Sequence, residues 1–170
     1  MKLVHYSSIC EEQYTAYISE WESNQETPTP SATKRNGVSF TEKYQQWKDN
    51  ETDIPIKQGY VSSMLYFLIS EDIIMGSIVY RPEINERLMK CGGHIGYGIR
   101  PSERRKGYAT LMLRMLLDNI KREGAVKVML TCDDDNIASA KTIEKNHGKL
   151  YEKAIFENIL IRKYWIDLKN

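Results

Sequence analysis

Apolar side chains recur along this chain with two different periods. Between Tyr108 and Glu123 they fall at Ala109, Met112, Leu113, Leu116, Leu117 and Ile120, one face of a helix, and Gly124 follows as a stop. Ile9, Tyr14, Tyr17, Ile18 and Trp21 predict a helix over 7–23 with Ser7 or Ser8 as its cap, and Phe40, Tyr44 and Trp47 predict another over 38–50. The segment 25–37 between them holds two prolines, small polar residues and a glycine, so it reads as a mobile loop. Runs rich in β-branched and aromatic residues at 62–70 and 72–81, parted by a short polar break, predict an antiparallel hairpin. Further strands are expected at 94–100, 126–132 and 159–168, with a capped helix over 133–148.

The element order is therefore two helices, three strands, then helix, strand, helix and strand. A strand, a long helix and another strand form a crossover unit, which places 94–100 and 126–132 parallel and adjacent in a mixed sheet. The expected class is α/β (α+β), and a chain of 170 residues suits a single domain over 1–170.

Charge narrows the partners. Lys and Arg number 24 against 23 Asp and Glu, so the net charge of +1 argues against a broad nucleic-acid or membrane surface. The longest apolar run, 64–69, is too short to span a bilayer, and 1–14 lacks the apolar stretch of a signal peptide. The chain reads as cytoplasmic, and a monomer or homodimer is expected. Three widely spaced cysteines, Cys10, Cys91 and Cys132, suggest reduced thiols and no disulfide framework.

Against that neutral background the stretch GYGIRPSERRKGYATLMLRMLL, residues 96–117, concentrates Arg100, Arg104, Arg105, Lys106 and Arg114 around Gly107. A strand entering a glycine-containing turn and then a helix leaves several backbone N–H groups without intrahelical partners, and the helix dipole adds positive potential there. Basic side chains are unfavourable at a helix N-terminus unless an anion binds, and a pyrophosphate would suit the turn. Lys106 precedes Gly107, the wrong order for a P-loop, and Gly96 and Gly98 do not complete a dinucleotide fingerprint. Arg114 belongs to the helix surface.

Arg104-Arg105-Lys106-Gly107-Tyr108-Ala109 resembles the R/Q-x-x-G-x-G/A signature of the GNAT (Gcn5-related) N-acetyltransferases, and VKVMLTCDDDNIASAKTIEKNHGKL resembles the strand and helix that follow it there. GGHIGYGIRPSERRKGYA is also similar to a group of predicted acetyltransferases of undefined acceptor. The resemblance implies a mostly antiparallel mixed sheet whose two parallel central strands splay apart around acetyl-CoA. It implies that the backbone of Ile99 and Arg100 meets the pantetheine and thioester. The amides of Arg105, Lys106, Gly107, Tyr108, Ala109 and Thr110 would meet the pyrophosphate, and Asn136 and Ser139 the pantetheine arm. Arg104 holds the signature's first position.

Acetyl transfer from a thioester to a primary amine needs a neutral amine, a stabilised oxyanion and an exit for the thiolate. Glycines at 96 and 98 favour a bulge that would free ladder donors for the oxyanion. Strand alternation puts His94, Gly96, Gly98 and Arg100 on one face, so His94 is the candidate base over an unobstructed glycine surface. Family members often carry a tyrosine acid where this chain has Glu144, which could serve only if burial raised its pKa; Tyr151 and Tyr164 are alternatives. A covalent relay through Cys132 is a weaker variant, and a non-catalytic CoA-binding module is the rival class. Asp133, Asp135 and Glu144 match three positions of a calcium loop, but Ala138 replaces its turn glycine and Ile137 an oxygen ligand, so no metal is called for. The aromatics of the first two helices are assigned to the core. The acceptor, a small-molecule or peptide amine, would be selected by 25–37 and 82–93.

Overall fold

The computed structural model describes residues 1–169. Strands β1 (Lys2–His5), β2 (Met64–Ser70), β3 (Ile73–Tyr80) and β4 (Ile95–Ile99) form one antiparallel sheet in the order β1-β2-β3-β4. Strands β5 (Lys127–Asp133), β6 (Lys149–Phe156) and β7 (Ile159–Asp167) form a second antiparallel sheet in the order β5-β7-β6. The helices are α1 (Glu11–Ser23), α2 (Phe40–Asn50), the short α3 (Ile54–Lys57) and α4 (Glu86–Lys90), α5 (Tyr108–Arg122) and α6 (Ile137–Lys145). No helix among the described residues is long and apolar enough to cross a membrane.

The expected class holds, with the splay carried further than the crossover argument allowed. β4 and β5 are not adjacent strands of one sheet: their sheets touch at a single bridge between Gly93 and Leu130 and then part. Both helices pack on the strands next to that junction. Met112, Leu113 and Leu116 of α5 and Ala140 and Ile143 of α6 pack in one buried cluster with Ile95, Ile99, Leu130 and Tyr164. The other face of the first sheet carries a second cluster, in which Tyr14, Tyr17 and Trp21 of α1 and Trp47 of α2 meet Phe67 and Ile74. Of the aromatic residues expected in the core, Tyr14, Tyr17, Trp21 and Trp47 are buried, with Trp47 2% exposed and Tyr17 fully buried, and Tyr44 packs against them half-buried.

Several boundaries move for local reasons. The first helix starts at Glu11 with Cys10 as its N-cap, because Tyr6–Ser8 form a separate 3-10 turn closing β1. Helix α2 starts at Phe40, where Ser39 and Glu42 form a reciprocal capping box. Helix α6 starts only at Ile137, since Asp133 still belongs to β5 and Asn136 is the cap. The segment 25–37 is no mobile loop: Thr33 is fully buried, its carbonyl accepts the Tyr14 hydroxyl at 2.9 Å, and the Ala32 carbonyl accepts the Trp47 indole N–H at 2.8 Å.

Candidate active site

β4 is an edge strand. Arg81 N–H donates to the His94 carbonyl at 2.8 Å and Arg100 N–H to the Met75 carbonyl at 3.0 Å, on either side of an unbroken register from Tyr80 opposite Ile95 to Gly76 opposite Ile99. Antiparallel alternation then turns the N–H groups of Tyr97 and Ile99 away from β3, into the opening beside β5. The edge of β4 that faces away from β3 thus carries N–H donors not used by the sheet. Their cause is the strand's edge position, and the bulge expected from Gly96 and Gly98 does not occur.

At Gly98 the glycine face of β4 is covered, contrary to the open surface expected. A Cβ on Gly98 would stand 2.2 Å from the Thr29 carbonyl oxygen, so only glycine admits the 25–37 segment there. A Cβ on Gly96 would meet Val79 Cγ1 at 3.5 Å, an ordinary contact.

Beyond β4 the chain turns through Pro101–Glu103 and reaches α5 by way of Arg105 and Gly107, both with positive φ, at 63° and 83°. No side chain caps α5, and Gly107 is its N-cap. The first intrahelical bond runs from Leu111 N–H to the Gly107 carbonyl. Among the described residues no protein acceptor meets the amides from Arg105 to Thr110. Left-handed residues followed by a helix N-terminus form a concave set of donors that favours an anion.

The basic side chains of this turn are mostly spoken for. Arg100 binds Glu20, with Nε donating at 2.6 Å, and both side chains are less than one-fifth exposed. Arg104 makes a two-pronged pair with Glu26 at 3.0 and 2.5 Å, stacks over the Trp21 ring at 5.0 Å and donates from Nε to the Ile99 carbonyl at 3.2 Å. Lys106 pairs with Glu103 at 3.0 Å. Arg104 therefore fastens α1 and the 25–37 segment to the turn, and Arg105 is left with its side chain exposed. Arg114 is on the surface, as expected.

Across the opening, Asn136 caps α6 by accepting the Ser139 N–H at 3.0 Å. Ser139 Oγ lies 2.9 Å from the Tyr97 hydroxyl, a bond that spans from β4 to α6. Burial pushes the Tyr97 hydroxyl up to about 12. Neutral tyrosine at that position was not foreseen; the sequence signal was a large side chain between two glycines.

Three chemical candidates change role. The His94 backbone N–H donates to the Met129 carbonyl at 2.8 Å, and ring Nδ1 accepts the Met129 N–H at 3.0 Å. An imidazole so held carries its neutral-state proton on Nε2 and has no free lone pair for an amine. Burial, reinforced by the nearby Arg81 charge, lowers its pKa. His94 clamps the junction of the two sheets and faces Trp165, with ring centroids 6.2 Å apart. Glu144 is exposed, so the burial its acid role required is absent; it accepts the hydroxyl of the fully buried Tyr164 at 3.1 Å. Tyr151 is exposed on β6. Cys132 is buried and burial raises its thiol pKa, which disfavours the thiolate a covalent relay would need. Of the acidic triplet, Asp134 pairs with Lys153 at 2.6 Å and Arg162 at 2.8 Å, tying the entrance of α6 to the β6–β7 hairpin.

The family model of the acetyltransferase (GNAT) domain matches residues 6–149. The chain belongs to the GNAT acetyltransferases. No curated protein matches its sequence. Among solved structures, it is similar to a Salmonella typhimurium acetyl transferase that modifies the N-terminal serine of 50S ribosomal subunit protein L7/L12, at 18% identity, with 97% of this chain and 93% of that chain covered and a TM-score of 0.66. The Salmonella typhimurium putative acetyltransferase YncA, solved with acetyl-CoA, aligns over 99% and 94% at 9% identity and a TM-score of 0.65. Campylobacter jejuni N-acetyltransferase PseH, solved with acetyl coenzyme A, aligns over 98% and 97% at 11% identity and 0.62. In this GNAT domain the signature arginine, Arg104, is paired with Glu26, and among the described residues the donors of the turn without a protein partner are its backbone amides and the exposed Arg105 side chain.

Proposed function

We propose that this enzyme transfers an acetyl group from acetyl-CoA to a primary amine in one direct step. The observation that carries the reading is the run of amides from Arg105 to Thr110 that meet no protein acceptor among the described residues, in the turn that leads from β4 into α5. Those donors suit a pyrophosphate. The open edge of β4 suits the pantetheine arm and thioester, and Ser139 and Asn136 would flank the arm from α6.

In the reaction the amine lone pair attacks the thioester carbonyl carbon, the C–S bond breaks, and the amine loses its proton. The Tyr97 or Ile99 N–H would hold the developing oxyanion. Tyr97, protonated at neutral pH, would supply the proton to the departing sulfur in the place of the family's helix tyrosine. With Nδ1 of His94 occupied by Met129, the amine's proton would leave through water. The acceptor is a small-molecule or peptide amine; the likeness to an enzyme acting on a protein N-terminus makes peptides with free N-termini the first library to try.

A thermal-shift series tests the cosubstrate. Acetyl-CoA should raise the melting temperature and ATP or NADH should not, because a ligand stabilises by its affinity for the folded form. Thiol release from acetyl-CoA across amine and peptide libraries then identifies the acceptor. No response to acetyl-CoA would end this reading.

A further inference from the structure

Four arginines are withdrawn from full exposure: Arg35, Arg81, Arg100 and Arg162. Three of them have a carboxylate, with Arg35 on Glu22, Arg100 on Glu20 and Arg162 on Asp134. Arg81 has none among the described residues. Its one hydrogen bond is a long one, from Nη1 to the Gly93 carbonyl at 3.4 Å, which leaves most of a five-donor fork unused. A guanidinium partly withdrawn from water without a counter-ion is less well solvated, and burial lowers the Arg81 pKa.

Its position gives that donor set a use. Arg81 follows β3 and sits opposite His94, and a Cβ on Gly96 would stand 4.0 Å from its Nη1 and 3.9 Å from Pro30 Cβ. The guanidinium therefore lies on the glycine face of β4. The opposite face, through Ile95 and Ile99, packs on α5, whose N-terminus carries the free amides. The two sets of donors are thus on different sides of β4.

We propose that Arg81 binds a carboxylate of the acceptor, so that the substrate is an amine bearing a free carboxylate. The planar fork matches a carboxylate with two parallel N–H···O bonds, and one negative charge balances the unpaired positive charge of Arg81. The proposal rests on the acetyl-transfer reading for its choice of acceptor, yet its test does not need turnover. The carboxylate could belong to a free amino acid or to an acidic residue of a peptide.

The experiment titrates succinate and its uncharged analogue succinamide against the full chain by thermal shift, with acetyl-CoA as a parallel ligand. Succinate should raise the melting temperature of the wild type, and succinamide should not. Arg81→Gln should weaken the succinate response by about 10-fold or more, the range for hydrogen bonds to a charged group, while leaving the acetyl-CoA response intact. Arg81→Lys, which keeps the charge and loses the fork, serves if the glutamine variant does not fold, and should also weaken succinate. Free glutamate and a peptide with an internal glutamate then separate the two sources; a response to either supports the site. Equal responses to succinate and succinamide, or unchanged succinate binding in both variants, would overturn it. Failure of acetyl-CoA alone would count against the transferase reading and leave the carboxylate result standing.

Discussion

Replacing Gly98 with alanine probes how closely the 25–37 segment lies on β4. The added Cβ would stand 2.2 Å from the Thr29 carbonyl oxygen, 3.0 Å from its carbon and 3.1 Å from the Thr29 Cβ. Two of these are backbone atoms, in a segment fastened by Thr33 and Ala32, so the clash cannot be relieved by turning a side chain. The segment must withdraw by about 1 Å, and overpacking of this kind costs about 1–3 kcal/mol. For a chain of this size that corresponds to a fall in melting temperature of roughly 2–12 °C. Gly96→Ala is the matched control, since its nearest neighbour would be Val79 Cγ1 at 3.5 Å. It should change the melting temperature by less than about 2 °C, within the usual range for a substitution that meets no obstacle. Thermal unfolding followed by circular dichroism, with limited proteolysis of 25–37, reads both variants. Equal melting temperatures for the two, or a larger loss at Gly96, would refute the packing argument.

Tyr97→Phe should cost about 0.5–1.5 kcal/mol through the lost bond to Ser139. It should lower kcat by about 100-fold with acetyl-CoA binding retained, the effect of removing a positioned acid; an unchanged kcat measured by thiol release would exclude Tyr97 as the proton donor. Glu20→Gln leaves Arg100 without its counter-ion and weakens the acceptor of the Ser102 N–H, so urea unfolding should show a loss of about 2–3 kcal/mol. An unaltered midpoint would mean that the pair contributes nothing. For His94 the folded pKa is depressed, so its contribution is full above the unfolded value of about 6.5 and is lost as pH falls through the folded value. His94→Gln should accordingly lose less stability than the wild type between pH 7.5 and acid conditions, and parallel pH profiles would contradict that assignment.

How much of this was legible in the sequence depended on whether one segment held all the information. Helix α5 was plain because six apolar residues lie on its buried face and a glycine ends it. Strand β6 was missed because Leu150, Tyr151 and Ile155 are all exposed, so neither face shows the alternation that burial imposes. Strand β1, four residues long, is too short to display a period. At the site, the turn around Gly107 was visible, since strand, turn and helix are contiguous. The partners of its charges were not: Glu20 and Glu26 lie some eighty residues earlier and meet Arg100 and Arg104 only through the packing of α1 against β3. His94 was visible as a histidine at a strand start, but its commitment to Met129 follows from the meeting of two sheets.

The central claim is that backbone amides of the 105–110 turn receive the pyrophosphate. Amide-resolved 1H–15N NMR during a titration with CoA tests it most directly, with pantetheine, which lacks the pyrophosphate, as the comparison. CoA should produce its largest shifts at the amides of Lys106 to Thr110, and pantetheine should leave those amides unmoved while shifting residues along β4. CoA shifts confined to other parts of the chain, or the same turn shifts with pantetheine, would contradict the account.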